Sequence, residues 1–370
     1  MAVDINWGLL RADYPILEER TYLNTPAYGP MHPKVQQAAS KEMEAYAAGG
    51  ADQFMEFVFT EKARIAEAIG QFVKAPAEQL ALSQNFSVPM NMVAEMLHPL
   101  GNVALVEGDY PSLTMPFRLR DYEVHELSIQ QDARIDYDAL SDLIKQNDIK
   151  LLAISHVQWS SGYVVDLEKV AEICTAHQTK LLVDGTQSIG VIPTDLGDIN
   201  PDVFIASTYK WLGAGHGNGF IYVKSDLLDE FKPRTAGFNS FLWKDGKPYY
   251  EPNIHCFEPG HLDSVAFARL KAAIDLQMEI GQDRIFQRVR ELVDSFKEYS
   301  LRTGIPLLYD FKDKELGSIL FVKGSNETIR ALKSNRVEAV PRGKGVRIGL
   351  HWYNNLDDIA RFWDVYARVG

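Results

Sequence analysis

Short apolar runs alternate with amphipathic stretches through the middle of this chain, and that rhythm restricts the fold more than any other feature. Residues 103–109, 150–157, 180–184, 202–207 and 219–224 are strand-like and apolar on both faces, whereas 137–146 and 166–177 repeat their apolar positions at helical spacing. Strands buried on both faces and joined by helices predict an α/β fold with a mostly parallel sheet flanked by helices. In such sheets ligands collect beyond the carboxyl ends of the strands. At 370 residues, 46% hydrophobic and 24% charged, the chain can bury a large core and form two associated domains.

Two of those strand ends carry complementary chemistry. Lys180-Leu-Leu-Val-Asp184 stops on a carboxylate, and the run from Asp202 passes through Ser207-Thr-Tyr to Lys210 before the glycine-rich turn 211–219. An amine and an acid delivered to one sheet edge suit pyridoxal 5'-phosphate. The amine forms a Schiff base with the cofactor aldehyde, and the acid keeps the pyridine nitrogen protonated so that the ring accepts electrons. The phosphate then needs backbone donors at a helix start. Leu80–Ser83, the polar turn Gln84-Asn85-Phe86-Ser87 and a helical pattern from Val88 supply one, with Ser87 expected as N-cap and Pro89 in the first turn. Tyr110, after the next strand end, is positioned to stack on the ring. Gln187, three residues beyond Asp184, is positioned to donate to the ring's phenolic oxygen, and Ser207 to add a phosphate contact.

Residues 238–252 carry aromatics, glycine and proline without clear periodicity and read as a long ordered excursion, functional or at an interface. Their aromatics and the acidic residues of 251–258 suggest a bulky, aromatic or cationic substrate. Beyond Gly260 come long helical patterns (264–281, 285–303), strands at 318–322 and 345–350, and a closing helix from Leu356. The expected division is a large cofactor-binding domain, 21–259, and a small α+β domain made of 1–20 and 260–370. Along 345–350, Val346, Ile348 and Leu350 share one face, while Arg347, Gly349 and His351 share the other. A guanidinium beside a glycine gap suits a bidentate grip on a carboxylate. Tyr28, in a Pro-rich turn, and His156, at a strand end, are expected on the substrate side.

The net charge of −12 argues against nucleic acid or an anionic membrane as partner. No apolar stretch approaches the ~18–20 residues of a membrane span, and the N-terminal residues lack the layout of a secretion signal. A cytoplasmic protein is expected, with no metal. Cys174 and Cys256 cannot build a disulfide framework. A dinucleotide-dependent oxidoreductase fits poorly, because the glycines of 213–219 precede a strand instead of following one and opening a helix. A non-catalytic binding protein would have little reason to keep Lys210, Asp184, Gln187 and Arg347 together.

These motifs resemble the class V aminotransferase family of fold-type-I pyridoxal-phosphate enzymes, which includes cysteine desulfurases, kynureninases and isopenicillin-N epimerase-like proteins. The similarity runs from Tyr22-Leu-Asn-Thr-Pro-Ala27 to the C-terminal helix, and Val183-Asp184-Gly-Thr-Gln187-Ser188 and Ser207-Thr-Tyr-Lys210 carry it most specifically. The resemblance implies that Lys210 is the Schiff-base lysine, Asp184 the partner of the pyridine nitrogen and Gln187 the contact to the ring oxygen. It also implies that Asn85, Phe86 and Ser87 form the phosphate turn, that Tyr110 stacks on the ring, and that Ser207 and Tyr209 lie near the phosphate. Arg347 would bind the substrate α-carboxylate. A homodimer with shared sites is implied, His261 of one subunit reaching the phosphate of the other. Trp159 stands where the family often has asparagine, which leaves Gln158 or Gln187 to hold the ring oxygen. A persulfide-forming desulfurase needs a thiol ahead of the Arg347 strand, and residues 334–345 contain none. The implied reaction is transamination of an α-amino acid, with a C–S or C–C lyase or an epimerase as the alternative.

Overall fold

The computed structural model describes residues 5–250, 253–343 and 345–368. β1 (Thr21–Tyr22) precedes the strands of the central sheet: β2 (Leu80–Ser83), β3 (Asn102–Val106), β4 (Glu123–Leu127), β5 (Leu151–Ser155), β6 (Lys180–Asp184), β7 (Val203–Ser207) and β8 (Gly219–Val223). They lie in the order β2-β8-β7-β6-β5-β3-β4, and β8 alone runs against the rest. Every residue of β5, β7 and β8 is buried, as expected of strands covered on both faces.

The crossover helices begin where the sequence supplies caps. Asp136 accepts from the backbone N–H groups of Asp138 and Ala139 and starts Tyr137–Gln146; Asp166 accepts from Lys169 and starts Leu167–Ala176. Each helix lays its apolar stripe on the sheet: Leu140 and Ile144 from one, Val170 and Cys174 from the other. Each such aliphatic side chain contributes about 1.5–3 kcal/mol of transfer free energy. Among the described residues no helix is long and apolar enough to cross a membrane.

Residues 241–250, expected as an irregular excursion, form a hairpin of β9 (Phe241–Lys244) and β10 (Lys247–Tyr250). Asp245 and Gly246 at its tip both have positive φ, 52° and 74°, the two-residue turn that an Asp-Gly pair favours. β11 (Ile319–Lys323), β13 (Val340–Arg342) and β14 (Gly345–Gly349) make an antiparallel sheet with β14 central, and β12 (Val337–Glu338) precedes β13 in the chain. β1 pairs in parallel with β12, and Asn24 bridges to Gly349, so the N-terminal strand is knitted into the C-terminal sheet. One apolar core runs without a break from the central sheet to the closing helix Leu356–Tyr366.

Candidate active site

The carboxyl ends of β2, β3, β5, β6 and β7 open on one cavity with about 530 Å³ of atom-free space. Its lining includes Asn85, Phe86, Ser87, Tyr110, Asp184, Gln187, Ser207, Tyr209 and Lys210, so nine of the residues singled out in the sequence meet there. Four different strand ends deliver them, which is why their spacing along the chain is irregular.

Lys210 is only 6% exposed and its amine has no hydrogen bond among the described residues. Nζ lies 5.6 Å from the ring centroid of Tyr110 and 5.7 Å from that of Tyr209. Burial lowers the proton affinity of this amine, partly offset by the charge of Asp184. Burial raises that of Asp184, held back by the Thr186 N–H, which donates to Oδ1 at 2.8 Å, and by Lys210. The two groups attract, yet no ion pair joins them: the cavity lies between an amine and an acid.

The far end of the cavity is built from polar backbone and hydroxyl groups. Ser87 is the first residue of the helix Ser87–Met96 and not its cap, a correction to the expectation. Phe86 holds the cap position, and Asn85 just ahead of it accepts at Oδ1 from the Val88 N–H at 3.0 Å, satisfying one free donor of the first turn. Ser207 Oγ accepts from the Phe86 N–H at 2.7 Å and fixes the turn to the end of β7.

Gln187 has a fuller set of partners than its sequence role implied. Nε2 donates to the Pro26 carbonyl at 3.0 Å and Oε1 accepts from the Trp211 indole at 2.9 Å, leaving one N–H for a ligand. Gln158 does not line the cavity; its amide donates to Asp109. Asp109 escaped the sequence reading. It is buried, and accepts from the Ser155 hydroxyl and N–H, from Gln158 and from the Tyr110 N–H, so it pins the Tyr110 loop to β5. Thr186 and Trp159, both lining, were likewise not foreseen as site residues. The only sequence signal for Asp109 is its place just past a strand end.

Four expected residues, Tyr28, His261, His156 and Arg347, stand outside the lining. Tyr28 packs its ring 6.1 Å from Tyr209, and the next residue must be glycine, because a Cβ on Gly29 would lie 1.8 Å from the Lys210 carbonyl oxygen. His261 is exposed, against Phe54 and Phe238, away from its own chain's cavity. His156 alternates with the lining residues Ser155 and Val157 and is buried, with Nδ1 unpartnered.

Burial pushes the His156 imidazole from 6.5 down to about 4. The unfolded chain then takes up a proton at a higher pH than the folded one, so stability falls as pH drops between those values. The shift corresponds to about 3 kcal/mol. His156→Gln is expected to lose less melting temperature than the parent between pH 6.5 and pH 4. Equal acid sensitivity of the two would contradict a ring held neutral by burial.

Arg347, on β14, is 3% exposed and its Nε has no hydrogen-bond partner among the described residues. Burial, reinforced by the charge of Arg342, lowers its pKa to about 10. Gly349 on the same face keeps the strand close to Pro26: a Cβ there would come within 2.1 Å of Pro26 Cδ. His351 accompanies them, stacked at 5.9 Å on Trp211.

The aromatic hairpin does not serve this cavity within the chain. Phe238, Phe241, Trp243 and Tyr249 line a separate cleft that shares no residue with it. Glu258 is buried and ion-paired with Lys62, and Glu251 lies outside the described residues. The expectation of an aromatic or cationic substrate therefore loses its structural footing.

An amine without a hydrogen-bond partner, a buried acid across from it, an aromatic wall and a hydroxyl- and amide-lined end fit pyridoxal phosphate. The family model described as Aminotransferase class-V matches residues 21–330. An uncharacterized aminotransferase, YcbU, of Bacillus subtilis is 25% identical, over 96% of this chain and 95% of the relative. A probable cysteine desulfurase of Methanothermobacter thermautotrophicus is 24% identical, over 97% of each. Among solved structures, the apo cysteine desulfurase of Thermococcus onnurineus superposes with a TM-score of 0.91 at 18% identity, covering 100% of this chain and 99% of that one. The cavity and the match over most of the chain agree: this protein belongs to the aminotransferase class-V family and is a pyridoxal-phosphate-dependent enzyme.

Proposed function

We propose that the enzyme transaminates an α-amino acid, binding its α-carboxylate at Arg347 and moving its α-proton with Lys210. The observation that carries this reading is the single cavity lined by Lys210 and Asp184 without an ion pair between them. Bound there, pyridoxal phosphate would supply a ring that accepts the electrons left when the α-proton departs.

The chain's own groups do the rest. The lowered proton affinity of Lys210 keeps a fraction of its amine neutral near physiological pH, as a general base requires. Asp184, kept from neutralising itself on Lys210, is free to hold a proton on the pyridine nitrogen. Tyr110 would cover one ring face, Gln187 would give its remaining N–H to the ring oxygen, and Asn85, Phe86, Ser87, Ser207 and Tyr209 would surround the phosphate. The unpartnered Nε of buried Arg347 marks a guanidinium still short of an acceptor, which a carboxylate provides. Tyr28 and His156 would act behind these groups, through Tyr209 and the end of β5.

Among the described residues the lining holds no arginine, and Lys210 is its one basic residue, so a phosphate dianion finds no dedicated counter-charge in the lining itself. His261 of a second copy would supply that contact, which supports a homodimer with shared sites. The same reading assigns 21–259 to cofactor binding and 1–20 with 260–370 to closing over the substrate, in a cytoplasmic enzyme. Cys174 is buried in a helix with its thiol pushed up to about 12, and Cys256 is buried in the turn Ile254–Phe257; neither lines the cavity. This favours transamination over sulfur transfer through a protein thiol.

The test is the visible spectrum of the holoprotein as single amino acids are added without a keto acid. Lasting conversion to the amine form of the cofactor is expected. A band that returns while product is released would identify a lyase or an epimerase instead.

A further inference from the structure

Resting on that assignment of the site, the register of the small sheet says what kind of side chain the substrate carries. Val340 pairs with Arg347 and Arg342 with Gly345 across the β13–β14 ladder. Side chains alternate along a strand and directly paired residues share a face, so Val340, Arg342 and Arg347 project from the same side. The residue facing Arg342 is glycine, which leaves the two arginines as diagonal neighbours, about 7–8 Å apart at the backbone. None of the residues paired with β14 is acidic.

Arg342 does not itself line the cavity but lies against a residue that does. Its guanidinium carbon lies 5.8 Å from the ring centroid of Trp159, a lining residue, and that ring meets the Tyr110 ring edge-on at 5.8 Å. Trp159 is itself held by its indole N–H, which donates to the Gly108 carbonyl at 3.1 Å. Arg342 is exposed and has neither hydrogen bond nor ion pair among the described residues, while Arg347 is buried with Nε unpartnered. Both positive charges are felt at Lys210 and depress its proton affinity further. One α-carboxylate satisfies one guanidinium and leaves the other unmatched beside a cavity that a cationic substrate would enter only against repulsion.

We propose that Arg342, steadied over Trp159, is a specificity-determining residue that binds a second anionic group on the substrate's side chain. The substrate is then an α-amino acid with an acidic side chain: a carboxylate, a sulfinate or a phosphate ester. A planar fork on an aromatic face suits each of these acids, and the surface position of Arg342 lets substrates bring side chains of different length.

The holoprotein, once its visible band is confirmed, is titrated calorimetrically with glutarate and with butyrate. Glutarate is expected to bind about tenfold more tightly, the range of one charge-assisted contact. In Arg342→Gln that preference falls to near parity, and Arg342→Lys keeps part of it. With amino donors, L-glutamate, L-cysteine sulfinate and O-phospho-L-serine are each compared with their neutral counterparts, and the largest ratio of kcat/KM names the acid. Equal affinity for glutarate and butyrate in the parent, or a preference unchanged in Arg342→Gln, overturns the proposal while leaving the active site in place. Failure to form a coloured holoprotein would instead overturn the site assignment beneath it.

Discussion

Lys210→Ala is expected to fold, to bind pyridoxal phosphate without covalent attachment and to lose turnover by about 10⁴-fold or more, because one amine serves as both anchor and base. The folded chain holds this amine buried with no ion pair or hydrogen bond among the described residues, a position that costs stability at neutral pH. Removing it should therefore leave the melting temperature of the cofactor-free protein unchanged or raised. Turnover, the visible band and thermal unfolding measured on one preparation separate the possible causes of lost activity. A variant that unfolds would show that Lys210 is structural; one that stays coloured and active would show that another lysine does the chemistry.

Asp184→Asn should bind the cofactor yet lower kcat by about 10³-fold, the scale on which a preorganised charge acts on a developing transition state. The substitution keeps the size and planarity of the side chain and the acceptor for the Thr186 N–H, so geometry survives and only the charge goes. Burial raises the proton affinity of Asp184, and a protonated pyridine opposite it would restore the carboxylate by direct ion pairing. A neutral amide cannot do this. Stopped-flow measurement of α-proton loss is the readout, and a rate within tenfold of the parent would remove Asp184 from its proposed role.

Much of this was legible in the sequence because strands write their own rules. The doubly apolar runs ending on Asp184 and Ser207 needed a parallel sheet, and such sheets gather ligands at those ends, which singles out the turn at 84–87, Tyr110, Asp184, Gln187, Ser207 and Lys210, whereas Tyr209 enters only through the family resemblance. The alternation around Arg347 likewise gave its face and its glycine neighbour. Other features depend on contacts that no local pattern encodes. Asp109 is one carboxylate among many until Ser155, Gln158 and Tyr110 converge on it from two strand ends. The two bonds of Gln187 come from Pro26 and Trp211, distant in sequence. The 241–250 hairpin was readable in principle: Asp245-Gly246 is a strong turn signal, masked by aromatics and a proline on its arms. Arg342 became meaningful only through register, since its partner across the ladder is a glycine.

The most direct measurement is the identity of the modified lysine. Holoprotein reduced with borohydride, digested and mapped by mass spectrometry should carry the pyridoxyl group on the peptide containing Lys210 and on no other. Label on a different lysine, or none on a protein that is nonetheless active, would contradict the account.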